Sequence, residues 1–279
     1  MPVRLTLQIV DSPPPRTSAP STVRWLGHAT ALLELDGVRL LTDPVLGPRA
    51  GPLVRLGRPI GGPSIGPVDC VLLSHLHADH ADVASLRRLG CAVPVLGPPG
   101  ATRWLRRIGV QEVRELRPGE EAEVGAVRVI ATPATHERHR LPLGPKADPI
   151  GFLVRGSRSA YFAGDTDLFD ELGDLRNSVD VALLPVWGWG SKLGPGHLDP
   201  ERAARAASII EPAVAIPIHW GTFALGRPVR RPVDPGWPAR RFATLAARYA
   251  PSVEVRVLAP GGRTELPPGR GGVQRRFRS

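Results

Sequence analysis

Residues 68–80 read VDCVLLSHLHADH. A continuous apolar run, Val68–Ser74, leads directly into His75, His77, Asp79 and His80. A largely apolar run of this length reads as a strand buried on both faces, which requires layers on either side of its sheet. A straight strand would send alternate side chains to opposite faces, so the polar residues must sit on a turn that can aim them at one point. Imidazole nitrogens and carboxylate oxygens are the donors favoured by zinc-type ions. The chain has only eight histidines among 279 residues, so three within six positions is a chemical feature rather than surface polarity.

Further donors stand after other apolar runs. His136 follows Val127–Ala131, Asp165 follows Ser159–Ala163 in Ala163-Gly164-Asp165-Thr166, and His219 follows Val214–Ile218. Each is flanked by glycine or proline, as expected where a strand ends. Ligands at strand ends can converge on one edge of a layered sheet.

The rest of the chain alternates short strands with a few helices. Val23–Leu26, Ala31–Leu35 and Val38–Thr42 form strand-like runs, and Asp36-Gly37 signals a hairpin. Val93–Leu96, Glu112–Leu116, Glu121–Val124, Ile150–Val154, Val181–Pro185 and Val253–Leu258 add further strands. Helical periodicity covers Asp82–Leu89, Gly100–Ile108, Asp199–Ile210 and Arg240–Tyr249. Asp199 is placed to cap its helix, with Pro200 in the first turn. Residues 47–67 read as a long Gly- and Pro-rich loop. The pattern predicts an α/β fold with mixed sheets, divided into an extended segment 1–21, one domain over 22–260, and a flexible basic tail over 261–279.

Composition narrows the class. No apolar run approaches the roughly 18 residues of a membrane span. Leu5–Val10, interrupted by Gln8, is too short and polar for a secretory signal. Two cysteines, Cys70 and Cys91, make no framework, so buried thiols in the cytoplasm are expected. The net charge of +10 raises nucleic-acid binding. The basic residues are nearly all arginine in a chain rich in Ala, Pro, Gly and Val, and they are scattered apart from Arg270, Arg275, Arg276 and Arg278. A compositional bias explains that better than a nucleic-acid face.

Taken in order, these motifs resemble the metallo-β-lactamase superfamily. Asp43 in Leu41-Thr42-Asp43-Pro44, the H-x-H-x-D-H run at 75–80, His136, Asp165 and His219 match its five successive motifs, over about Trp25 to Leu225. Three finer segments resemble the N-acyl-phosphatidylethanolamine phospholipase D-like branch and its ascorbate-phosphate lactonase-like neighbours: Trp25–Thr30 (WLGHAT), Gly196–Ala203 (GHLDPERA) and Ile218–Leu225 (IHWGTFAL). The segment after His136, Glu137-Arg138-His139-Arg140, departs from the tryptophan-rich pattern of the phospholipase members.

The resemblance implies a four-layer αββα sandwich with two divalent cations at one edge. His75, His77 and His136 would hold one ion, Asp79, His80 and His219 the other, and Asp165 would bridge them. Zinc is the chemical preference, and manganese or iron can use the same donors. A metal-bridging hydroxide would then cleave a phosphodiester or related ester, small-molecule or lipid-like. A lactone is the alternative substrate, and RNA processing or a non-enzymatic relict is disfavoured. A redox di-iron site would want a carboxylate where His77 stands. His197 is a candidate catalytic residue beside Asp79. Asp43 is expected to orient a ligand histidine, and His28 either to support a ligand or to pack structurally. His139 is expected to be exposed. Trp187-Gly188-Trp189-Gly190 offers either a cleft wall or core packing.

Overall fold

The computed structural model describes residues 20–58, 65–139, 145–188, 193–225 and 234–267. Most of the extended N-terminal segment, the Arg270–Arg278 cluster and Trp189 lie outside them.

The first seven-stranded sheet contains β1 (Thr22–Gly27), β2 (Thr30–Leu35) and β3 (Val38–Thr42), then β6 (Cys70–Leu72), β7 (Val95–Gly97), β8 (Val113–Glu115) and β17 (Arg263–Glu265), in the order β17-β1-β2-β3-β6-β7-β8. The second contains β9 (Glu121–Val124), β10 (Val127–Pro133), β11 (Ile150–Arg155), β12 (Ser159–Phe162), β13 (Val181–Pro185), β14 (Val214–Ile218) and β16 (Glu254–Val255), in the order β16-β14-β13-β12-β11-β10-β9. A small third sheet joins β4 (Arg49–Ala50), β5 (Leu53–Arg55) and β15 (Phe223–Leu225). The helices are α1 (Val83–Leu89), α2 (Thr102–Arg107), α3 (Pro200–Ile210) and α4 (Trp237–Tyr249).

Side-chain alternation along β6 shows why the sheet is covered on both sides. Cys70 and Leu72 belong to the central core, where they join Phe152, Phe162 and other residues of the second sheet. Val71 and Leu73 point the other way and pack with Leu86 of α1 and Ala101 and Leu105 beside and within α2. On the far side of the second sheet, α3 and α4 contribute Ala203, Ala207, Ile210 and Phe242 to the central core. The result is the four-layer αββα sandwich with mixed sheets.

Local chemistry sets the connections. Asp36 and Gly37 both have positive φ, 49° and 81°, as the two-residue hairpin between β2 and β3 requires. Asp199 accepts from the backbone N–H of Glu201 and Arg202, closing the exposed start of α3, a cap that contributes about 1 kcal/mol.

Three expectations need correction. Part of the 47–67 segment is not plain loop, since β4 and β5 pair there and bring in β15. The ordered chain also runs past residue 260. Within the expected flexible tail, Arg263–Glu265 pairs antiparallel with Thr22–Arg24 and covers the edge of β1. Arg- and Gly-rich composition hid this strand, because an edge strand needs backbone partners more than apolar side chains. Finally, Cys70 is buried and its thiol is pushed up to about 12 by burial, whereas Cys91 is exposed.

Candidate metal centre

Strand direction brings the candidate residues to one edge. β3 and β6 run parallel, with Thr42 opposite Leu72, so Asp43 and the 75–80 turn emerge together. β1 is antiparallel to β2 and β2 to β3, so β1 ends at the same edge and delivers His28 there. In the second sheet β10 and β12 share one direction, each antiparallel to β11, and β12, β13 and β14 are parallel. Their ends release His136, Asp165, Trp187 and His219 side by side.

Two segments singled out in the sequence clasp each other. Trp25 stacks on Trp220 at 4.9 Å. The His28 carbonyl accepts from the His219 N–H and from Trp25 Nε1, both at 2.9 Å, and the His28 N–H donates to Thr222 Oγ1 at 2.7 Å. These bonds hold His28 and His219 in left-handed backbone, φ 54° and 63°, a conformation that costs free energy for a residue with a Cβ.

Among the described residues the side chains form four overlapping groups whose donor atoms lie within 4.8 Å of one another: His75, His77 and His136; His28, Asp79, His80 and His219; Asp43, His75 and His80; and His136, Asp165 and His197. Hydrogen bonds fix which nitrogen of each ring carries the proton. His136 Nδ1 donates to the Gly196 carbonyl at 2.7 Å, and His77 Nε2 donates to the His139 carbonyl at 2.9 Å. The remaining nitrogens, His136 Nε2 and His77 Nδ1, face each other at 3.0 Å. Likewise His80 Nδ1 donates to Asp43 Oδ2 at 2.7 Å and His219 Nδ1 to the Trp187 carbonyl at 2.6 Å. Their Nε2 atoms stand 3.1 Å apart. His75 Nε2 is buried with no hydrogen-bond partner among the described residues. Five imidazole nitrogens thus face inward, and only a proton, as His80 can carry, or a metal cation relieves the repulsion of their lone pairs.

Charge reinforces this. Burial lowers the pKa of His75 and His77, brings His136 down to about 4 and brings His219 down to about 3, so these rings are neutral and able to ligate. Burial alone would raise the carboxyls of Asp79 and Asp165. The pull of the histidines, His80 foremost on Asp79 and His219 foremost on Asp165, instead drives both well below the usual range. Burial acts against the charged form of His80, but Asp165 and Asp79 hold it well above its ordinary value. The pocket is built to stabilise positive charge, and the donor set fits divalent cations.

The remaining candidates fall around this centre. Asp43 is fully buried and bonds His80. His28 Nε2 donates to Asp79 Oδ2 at 2.9 Å. His197 is partly exposed, its Nδ1 bonded to the Gly194 and Pro195 carbonyls and its Nε2 3.5 Å from Asp165 Oδ2. A cleft of about 290 Å³ opens between the β4–β5 hairpin, with Ala50, Pro52 and Leu53, and His77, Asp79, Asp165 and His197. The His139 ring is exposed and pairs with Glu137. Trp187 packs edge-on to Trp237 at 5.3 Å, and its carbonyl accepts from His219. Arg202 of the GHLDPERA segment pairs with Asp167 and ties α3 to the loop after Asp165. Sequence reasoning passed over Ser74 and the carbonyls of Gly196 and Trp187. Ser74 was readable beside the motif, whereas carbonyl contacts carry no residue signature.

The family model for the beta-lactamase superfamily domain matches residues 38–220. The chain belongs to this superfamily and is one of its metal-dependent hydrolases. The UPF0173 metal-dependent hydrolase MK1542 of Methanopyrus kandleri is 34% identical over 256 residues, covering 86% of this chain and 97% of that protein. N-acyl-phosphatidylethanolamine-hydrolyzing phospholipase D 1 of Caenorhabditis elegans is 29% identical over 229 residues, covering 72% of this chain and 64% of that protein. The structure of Igni18, a metallo hydrolase from Ignicoccus hospitalis, superposes with a TM-score of 0.66 at 24% identity, covering 89% of this chain and 99% of that one. It shares the fold. Among the described residues no helix is long and apolar enough to cross a membrane.

Proposed function

We propose that the chain is a dinuclear hydrolase of phosphodiesters or related esters. The observation that carries this reading is the pair of nitrogen–nitrogen contacts, His77 to His136 and His80 to His219, both with a ring close to the Asp165 carboxylate. In this reading His75, His77 and His136 hold one cation, Asp79, His80 and His219 the second, and Asp165 lies between them. Zinc suits the mixed nitrogen and oxygen donors. Bound there, the cations would make hydroxide available at neutral pH and polarise the scissile group.

This chain's own residues do the rest. Asp79 and Asp165 supply the negative charge that two cations need. His28 holds the Asp79 oxygen that faces His80 and His219 and so fixes the carboxylate beside them. His197, at the cleft and outside both three-ligand sets, donates a hydrogen bond or proton to the leaving oxygen. The phospholipase D relative acts on a phosphodiester according to its name, which supports the same bond type here. The described lining of the cleft carries no lysine or arginine, which favours a neutral lactone as the second reading. Free thiols at Cys70 and Cys91 fit a cytoplasmic location.

The test is a substrate-class screen on metal-replete protein, bis-p-nitrophenyl phosphate against simple lactones, with chelator controls. Chelator-sensitive phosphodiester turnover is expected. Turnover of lactones alone would replace the first reading by the second.

A further inference from the structure

Asp43 and Ser74 are neighbours because of sheet register. β3 and β6 end level with each other, and the Asp43 N–H donates to the Leu72 carbonyl at 3.0 Å. Asp43 takes up positive φ, 29°, and turns its carboxylate back toward the start of the histidine turn. Both residues are fully buried. A buried carboxylate persists only when its oxygens are satisfied.

All the described hydrogen bonds to this carboxylate come from the histidine turn. Asp43 Oδ1 accepts from the Ser74 N–H at 2.7 Å. Oδ2 accepts from the Ser74 hydroxyl at 2.5 Å and from His80 Nδ1 at 2.7 Å. The serine has a single hydroxyl hydrogen, and the short contact to a carboxylate claims it. Its oxygen is then left as an acceptor for His75 Nδ1, at 2.9 Å. That bond places the proton of His75 on Nδ1 and leaves Nε2 as the buried, unpartnered lone pair.

Ser74 is itself held from several sides. Its carbonyl accepts from the Ile150 N–H at 3.0 Å. A Cβ added at Gly164, the residue before Asp165, would lie 2.6 Å from Ser74 Cβ and 2.9 Å from Ser74 Oγ. The serine therefore occupies a fixed point between the two sheets, against the loop that carries Asp165.

We propose that Asp43 and Ser74 form a fork that positions one histidine of each metal-binding group, His80 directly and His75 through the Ser74 hydroxyl. Ser74 is a positioning residue for the first group, and Asp43 for both. The proposal rests on the two-group reading of the centre. It goes beyond that reading by making one carboxylate responsible for the tautomer and ring orientation of ligands on both sides.

The fork makes a selective demand. Loss of the Ser74 hydroxyl frees His75 and leaves His80 bonded to Asp43. Loss of the Asp43 charge frees both. Groups that orient metal-ligating histidines typically contribute about 10–100-fold in metal affinity.

Zinc titration by calorimetry on chelator-stripped protein tests this, with circular dichroism and the melting temperature of each metal-free variant as fold controls. Wild type is expected to bind two equivalents. Ser74→Ala is expected to weaken one equivalent by about 10–100-fold and leave the other near wild type. Ser74→Thr, which restores the hydroxyl, is expected to recover the loss. Asp43→Asn is expected to weaken both equivalents. Unchanged affinities in folded Ser74→Ala, or equal weakening of both equivalents, would overturn the fork. If Ser74→Ala does not fold, Asp43→Asn decides alone: weakening of both equivalents supports the fork, and weakening of one or neither overturns it. Fewer than two equivalents in wild type would overturn the dinuclear reading instead.

Discussion

Asp165 Oδ1 faces His219 Nε2 at 3.2 Å, and this buried oxygen has no hydrogen bond among the described residues. The other nitrogen of His219 already donates to the Trp187 carbonyl, so an acceptor faces an acceptor. The second oxygen of Asp165 lies 3.2 Å from His80 Nε2. Such a contact is stable only with positive charge between the partners. Asp165→Asn keeps the shape and removes the charge. Loss of at least one metal equivalent, together with hydrolysis, is expected by elemental analysis and turnover. Retention of two tightly bound ions with full turnover would refute the placement of Asp165 between two ions.

His197 separates metal binding from catalysis. Its Nε2 is 3.5 Å from Asp165 and its donor atom groups with those of His136 and Asp165, but the two ligand sets proposed above do not use it. His197→Ala is expected to keep both ions and a near-normal melting temperature while turnover falls by about 10²–10⁴-fold. Loss of metal along with activity would make His197 a ligand.

Acid is expected to destabilise the metal-free protein. His136 and His219 have folded pKa values of about 4 and about 3. In an unfolded chain histidine titrates near 6.5. Between these limits the unfolded state binds more protons, so stability falls as pH falls. The contribution of these rings is complete above about pH 6.5 and is lost toward pH 4 and below. His80 acts oppositely. Its raised pKa adds stability below about 6.5 that is lost only as pH rises through its folded value. The melting temperature of chelator-treated protein should drop from pH 7 to pH 4, and a flat profile would contradict the neutral-histidine pocket. Zinc should raise the melting temperature less at pH 5 than at pH 7, because protons compete for the same nitrogens.

Gly164 has φ 62°, and a Cβ there would meet Ser74 Cβ at 2.6 Å. Gly164→Ala adds both backbone strain and a clash between buried elements. A loss of about 1–3 kcal/mol in denaturant unfolding is expected, with weakened metal binding because Asp165 is the next residue. Wild-type stability and metal affinity would show that the loop shifts freely.

The C-terminal boundary can be tested by truncation. Trp25 exchanges backbone hydrogen bonds with Gly261 and Gly262, and Leu266 N–H donates to the Ser21 carbonyl. Ending the chain at Pro267 is expected to leave the melting temperature and small-substrate turnover near wild type. Ending it at Pro260 removes β17 and exposes the edge of β1, and a clear fall in melting temperature is expected.

The chemistry of the centre was legible because metal donors are few in kind and the 75–80 run is dense with them. The same is true of elements whose sequence carries a local physical rule: Asp36-Gly37 turns as its backbone preference requires, and Asp199 caps α3. The sequence also named Asp43, whose direct bond to His80 is now visible. Other features depended on partners distant in the chain. β17 forms because β1 offers an open edge, not because Arg263–Glu265 prefers strand. The same holds for β4 and β5, which need β15 from about 170 residues away. The proton positions on His75, His77, His80, His136 and His219 are set by Ser74, Asp43 and carbonyls of residues 139, 187 and 196. Residue identity supplied the donors by itself. Only tertiary structure decided which nitrogen of each donor faces the centre, because a backbone carbonyl is the same at every position until the fold aims it.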